Sequence, residues 1–131
     1  MPERASGEGL VEFLAMMRTM RERCAWKAGQ THESLAKHLR EEADEVLEAI
    51  EEGDSAHLAE ELGDLLLQVY FHAAIAEEAG AFTMDDVIGG LIAKMRRRNP
   101  HVFDPAVAAG GPYTVDEIEE LWQAAKAAER S

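Results

Sequence analysis

The sequence predicts an all-α protein, a four-helix bundle core with a C-terminal helical tail, assembled as a dimer or a dimer of dimers. Three observations predict the helical architecture. Apolar residues recur at helical intervals along most of the chain, strand-type alternation is nearly absent, and capping residues punctuate the helical stretches. The 131 residues suit one domain spanning 1–131, with a real core of modest size. Residues 1–7 read as a frayed end and 104–131 as the tail.

Taken in order, Leu10, Phe13, Leu14, Met17 and Met20 recur at helical spacing and predict a first helix from Glu8 to Arg23. Cys24 to Gln30 reads as a loop punctuated by Gly29. Thr31 is an N-cap for a second helix running to Glu52, with Glu33 in its first turn favoured by the helix dipole. Gly53 ends that helix, and Asp54 or Ser55 caps a third that reaches Ala79 and stops at Gly80. Thr83, with Asp86 three residues on, resembles a capping box for a fourth helix to Arg98. Asn99-Pro100 ends it. A loop with Gly110, Gly111 and Pro112 leads to Thr114, which with Glu117 forms a second capping-box signal for a last helix to Glu129.

Composition excludes several classes. Hydrophobic residues are 47% of the chain, too many for a disordered protein. A net charge of −13 argues against nucleic acid held on a basic face, although an acidic protein still binds phosphates where a metal inverts the local field. No apolar run is long enough to cross a bilayer, and MPERASGEG lacks a signal-peptide apolar stretch. The single Cys24 excludes an intramolecular disulfide and suits a reducing compartment. A cytoplasmic domain with no membrane partner is expected.

The chemistry concentrates between Arg40 and Asp64, REEADEVLEAIEEGDSAHLAEELGD. Glu42 with Glu45 and Glu61 with Asp64 are acidic pairs at helical spacing, and residues three apart lie about 60° apart on a helix surface. A turn at Gly53-Asp54 lets the pairs face each other across an antiparallel hairpin. Four converging carboxylates repel unless a cation neutralises them, which suits Mg²⁺ or Mn²⁺ with their oxygen ligands. Glu48, Glu51 and Glu52 read as a solvated face. Glu42 does not, because it falls within about 20° of the centre of the stripe Leu35, Leu39, Val46, Ala49 and Ile50. On the third helix Glu61, Asp64, Gln68 and His72 share a sector of about 80°, while the rest is apolar on nearly every side. So wide an apolar girdle predicts burial at a homo-oligomeric interface. The competing structural reading is a buried salt bridge to Lys37, Arg40 or Lys94.

These residues carry a family resemblance. EExxE at Glu41, Glu42 and Glu45, followed by ELGDLLLQVYFHA with Glu61 and Asp64, resembles the MazG-like nucleoside triphosphate pyrophosphohydrolases. The likeness extends to Cys24-Ala25-Trp26, Gln30-Thr31, KMRRRNPHVF from Lys94 to Phe103, and Trp122. It implies an all-α fold assembled from dimers, Mg²⁺ ligands at Glu42, Glu45, Glu61 and Asp64, and triphosphate contacts at Lys94, Arg97 and Arg98. The chain departs at Lys27, where family members often have an acidic residue.

Two function classes follow. One is a hydrolase, using Mg²⁺ with Mn²⁺ as a substitute, that splits a nucleoside triphosphate between its α- and β-phosphates. Glu41, beside the ligands, is its candidate base or water-orienting group. Trp122 sits on the stripe Ile118, Leu121, Trp122 and Ala125, and either docks the tail or stacks on the base. The other class is a non-catalytic helical dimer whose acids pair with Lys and Arg. His72 reads as a hydrogen-bonded core histidine. His32, His38, His57 and His101 lack metal-ligand spacing.

Overall fold

A computed structural model describes residues 7–130. Among the described residues every regular element is a helix, eight in all: α1 (Glu8–Arg23), α2 (Ala25–Ala28), α3 (His32–Glu52), α4 (Ser55–Glu78), α5 (Met84–Arg98), α6 (Pro100–Phe103), α7 (Pro105–Ala109) and α8 (Val115–Ala128). The chain divides into two compact units, one ending at Met84 and one from Asp85 onward. Of the expected frayed start at residues 1–7, residues 1–6 lie outside those described. Gly7 is the N-cap of α1, at a positive φ of 96° that glycine adopts without strain.

In the first unit Met17, Leu35, Tyr70, Phe71, Ala73, Ala74 and Met84 are buried together, with Phe13, Leu14, Met20, Leu67 and Ile75 packed against them. The stretch read as a loop after Cys24 contains the one-turn helix α2. Arg21 Nη1 donates to the carbonyls of Lys27 and Gln30, at 2.5 and 3.0 Å, and ties that turn to α1. Thr31 and Ser34 form a reciprocal capping box at the start of α3. Gly53, at φ 73°, stops α3 in the left-handed conformation, and Asp54 caps α4 by accepting from the amides of Ala56 and His57. This two-residue reversal makes the α3–α4 hairpin. Arg18 pairs with Glu77 at 2.6 Å and Arg21 with Glu78 at 2.8 Å, tying α1 to the last turn of α4.

The first unit packs three long helices, α1, α3 and α4. Two expectations are corrected here. Leu10, Leu39 and Ile50, expected on core stripes, are exposed, whereas Met17, Leu35, Val46 and Ala49 are buried. The third predicted helix, α4, is not buried all round. Tyr70, Phe71, Ala73, Ala74 and Ala76 face the core, while Leu62, Leu66 and Val69 are exposed, because within this unit α1 and α3 cover only part of its circumference.

In the second unit α6 and α7 occupy a stretch read as irregular. Each is about one turn long with Pro at its first helical position, where the missing N–H costs nothing. Asp104 caps α7 through the Ala106 amide at 3.0 Å. Thr114 and Glu117 form the expected capping box of α8, with both reciprocal bonds made. The Tyr113 hydroxyl donates to the Val107 carbonyl at 2.6 Å.

Candidate metal centre

The site follows from helix spacing plus one turn. Glu42 and Glu45 stand on one face of α3, Glu61 and Asp64 on one face of α4, and each pair is nearly equidistant in sequence from Gly53-Asp54. The hairpin therefore brings them opposite each other. One carboxylate oxygen from each of Glu42, Glu45, Glu61 and Asp64 lies within 4.8 Å of all the others. Glu61 is 8% exposed, Glu42 and Asp64 are half-buried, and Glu45 faces solvent.

The electrostatics are unresolved by the protein itself. Burial, and then the charges of Glu45, Asp64 and Glu61, push the Glu42 carboxyl above its ordinary range. Burial, and then Glu45, push Glu61 up as well, against an opposing hydrogen bond from His57. Glu42 Oε2 and Glu61 Oε2 are buried without a hydrogen-bond partner. Among the described residues of the first unit no Lys or Arg pairs with any of the four acids, which removes Lys37 and Arg40 as salt-bridge partners. Four oxygen donors with two orphaned buried atoms fit a hard divalent cation.

The family model for the MazG nucleotide pyrophosphohydrolase domain matches residues 30–103, more than half of the chain, and that span includes all four acids. The chain belongs to this MazG family. The nucleoside triphosphate pyrophosphohydrolase of Mycobacterium tuberculosis is 44% identical over 132 residues, covering 99% of this chain and 39% of that protein. The nucleoside triphosphate pyrophosphohydrolase/pyrophosphatase MazG of Thermotoga maritima is 53% identical over 96 residues, covering 73% of this chain and 37% of its own length. The chain thus spans about two-fifths of these curated relatives. A crystal structure of a mazG-related protein from Thermotoga maritima superposes with a TM-score of 0.75 at 27% identity, covering 88% of this chain and 97% of that one.

The remaining sequence-predicted residues of this MazG domain are placed as follows. Glu41 is exposed, with its carboxylate 3.3 Å from His38 Nδ1, and is not among the four converging groups. Lys94 is exposed on α5. In the second unit Arg97 and Arg98 both pair with Glu129 beyond the end of α8. Their two guanidinium groups hold the Glu129 carboxyl at about 2. Trp122 is half-buried, with Arg98 at 5.3 Å and Lys126 at 4.7 Å from its ring centre. The structure thus brings Arg97 and Arg98 together around a carboxylate that the sequence reading did not single out, with Arg98 also beside the Trp122 ring.

His57 was also missed. Its ring bridges Glu52, at 2.8 Å, and Glu61, at 3.1 Å. The i,i+4 spacing to Glu61 was a usable signal. Gln68, from the acidic sector of α4, is buried with its Oε1 unpartnered. His72 is stacked on His32, with rings 5.0 Å apart and Nδ1 atoms 2.7 Å apart. Burial first, and His32 second, push His72 below the usual histidine value.

Proposed function

We propose that this MazG domain is a Mg²⁺-dependent nucleoside triphosphate pyrophosphohydrolase, with Mn²⁺ as a possible substitute. It would consume one water and split an NTP or dNTP between the α- and β-phosphates, releasing the monophosphate and pyrophosphate. The observation that carries this reading is the set of four facing carboxylates with two orphaned buried oxygens and, among the described residues of their unit, no Lys or Arg counterion. The names of the Mycobacterium tuberculosis and Thermotoga maritima relatives support the reaction class.

Glu42, Glu45, Glu61 and Asp64 would hold the cation. Bound there, a divalent cation supplies charge neutralisation for a polyphosphate and acidifies water for attack. The chain's own groups do the rest. Glu41, oriented by His38, is the proposed base that orients the water and accepts its proton. Lys94, Arg97 and Arg98 are assigned to the triphosphate oxygens, to which Arg binds bidentately. Trp122 is assigned to the base, since every nucleobase offers a π-face. Cytoplasmic residence and self-association complete the proposal. Among the described residues no helix is long and apolar enough to cross a membrane.

A non-catalytic helical dimer would need Lys or Arg counterions at the four acids, and none pairs with them among the described residues of the first unit. A turnover screen over the common NTPs and dNTPs, with Mg²⁺ and separate detection of pyrophosphate and orthophosphate, tests the proposal. Pyrophosphate with an equal amount of monophosphate is expected. Release of orthophosphate, or no turnover of any triphosphate, overturns it.

A further inference from the structure

We infer that His57 is a positioning residue that sets the orientation of the Glu61 carboxylate toward the metal site, and that Glu52 anchors it. The inference rests on the reading of Glu42, Glu45, Glu61 and Asp64 as cation ligands. It adds two residues, outside that set of four, that reach the site only through Glu61.

The argument starts at the turn. Gly53 closes α3 in the left-handed conformation, and the Asp54 carboxylate accepts the His57 amide at 3.2 Å, so the backbone of His57 is fixed in the first turn of α4. Glu52, the last residue of α3, meets the ring at Nδ1, 2.8 Å from its Oε2. One helical turn further along α4, the opposite ring nitrogen Nε2 lies 3.1 Å from Glu61 Oε1. Both nitrogens are engaged, and the imidazole spans from one carboxylate to the other.

The end of a glutamate side chain has no strong torsional preference of its own, because its last torsion is broad and roughly two-fold. Something must select its plane. At Glu61 the hydrogen bond to Oε1 does so, and leaves Oε2 buried and unpartnered. Partners that hydrogen-bond a ligating carboxylate fix its orientation, and their loss typically costs about 10–100-fold in metal affinity. Glu52 has no place among the four acids and contributes only through the ring.

The test is Mn²⁺ binding by isothermal titration calorimetry, with melting temperatures taken in EDTA, on the full chain and its variants. His57→Ala is expected to weaken Mn²⁺ binding by about ten-fold or more, while its melting temperature in EDTA stays close to the parent value. Alanine is the best helix former, and His57 is partly exposed, so the variant folds. His57→Gln, whose amide still donates to Glu61, is expected to recover most of the affinity. Glu52→Gln is expected to give a smaller loss in the same direction. Unaltered Mn²⁺ affinity in His57→Ala overturns the inference and leaves the metal site standing. Absence of Mn²⁺ binding by the parent chain overturns the metal reading and this inference with it. A lower melting temperature in EDTA with parent-like affinity assigns His57 to holding the turn and also overturns it.

Discussion

Arg98 holds Glu129 through Nη2, 3.0 Å from Oε2, while its guanidinium lies 5.3 Å from the centre of the Trp122 ring. Arg97 reaches the same carboxylate, so two cations assigned to a triphosphate already share an internal anion. Under the proposed function Glu129 competes with phosphate for them. Glu129→Gln should lower KM for nucleoside triphosphates and leave kcat near its parent value. Steady-state kinetics checks this, and an unchanged or higher KM counts against the phosphate role of Arg97 and Arg98.

The same pair has an acid limit. Glu129 is held at about 2 against an ordinary 4.5, so its contribution is fully present above about 4.5 and is lost as pH falls through about 2. In a Trp26→Phe background the fluorescence of Trp122 should change across that interval as Arg98 is released. The change should be absent from a Glu129→Gln variant in which helical circular dichroism is followed in parallel.

Glu42→Gln should abolish pyrophosphate release. Without metal the variant should be as stable as the parent or more so, by roughly 0.5–2 kcal/mol, as for other relieved charge clusters. The reason is that burial and three carboxylates already press Glu42 toward its neutral form, which glutamine imitates. Thermal melts in EDTA with a turnover assay decide it. Full activity, or an unfolded chain, argues against a metal site.

Trp122→Ala should raise KM by about ten-fold or more for all bases alike and leave the melting temperature nearly unchanged, since a stacked base is worth roughly 1–3 kcal/mol. Arg98 and Lys126 are already placed around the ring, so the competing outcome is specific. A large loss of stability with unaltered KM would make Trp122 a residue that docks α8.

Leu62, Leu66 and Val69 on α4 lie exposed, as do Leu39, Leu47 and Ile50 on α3. So much open apolar surface on adjoining helices should be covered by a second copy of the chain. Sedimentation at micromolar concentration should show a dimer or tetramer, and Leu66→Glu should shift it toward monomer. A stable parent monomer refutes the expectation.

Short-range geometry was legible in the sequence. The long helices lie where periodicity, Thr31, Gly53, Asp54 and the Thr114–Glu117 box put them, within a residue or two. The convergence of Glu42, Glu45, Glu61 and Asp64 was legible for the same reason. Two i,i+3 pairs and one glycine turn contain all the geometry required. What lies far apart in sequence was decided only by tertiary packing. His32 meets His72 across 40 residues and Arg98 meets Glu129 across 31, and no periodicity links either pair. The buried side of α4 was equally hidden. Its residues are apolar on nearly every side, so hydropathy alone cannot separate Tyr70 and Phe71, which fill the core, from Leu66 and Val69, which do not. That choice belongs to α1 and α3, whose packing determines which face of the helix loses its water.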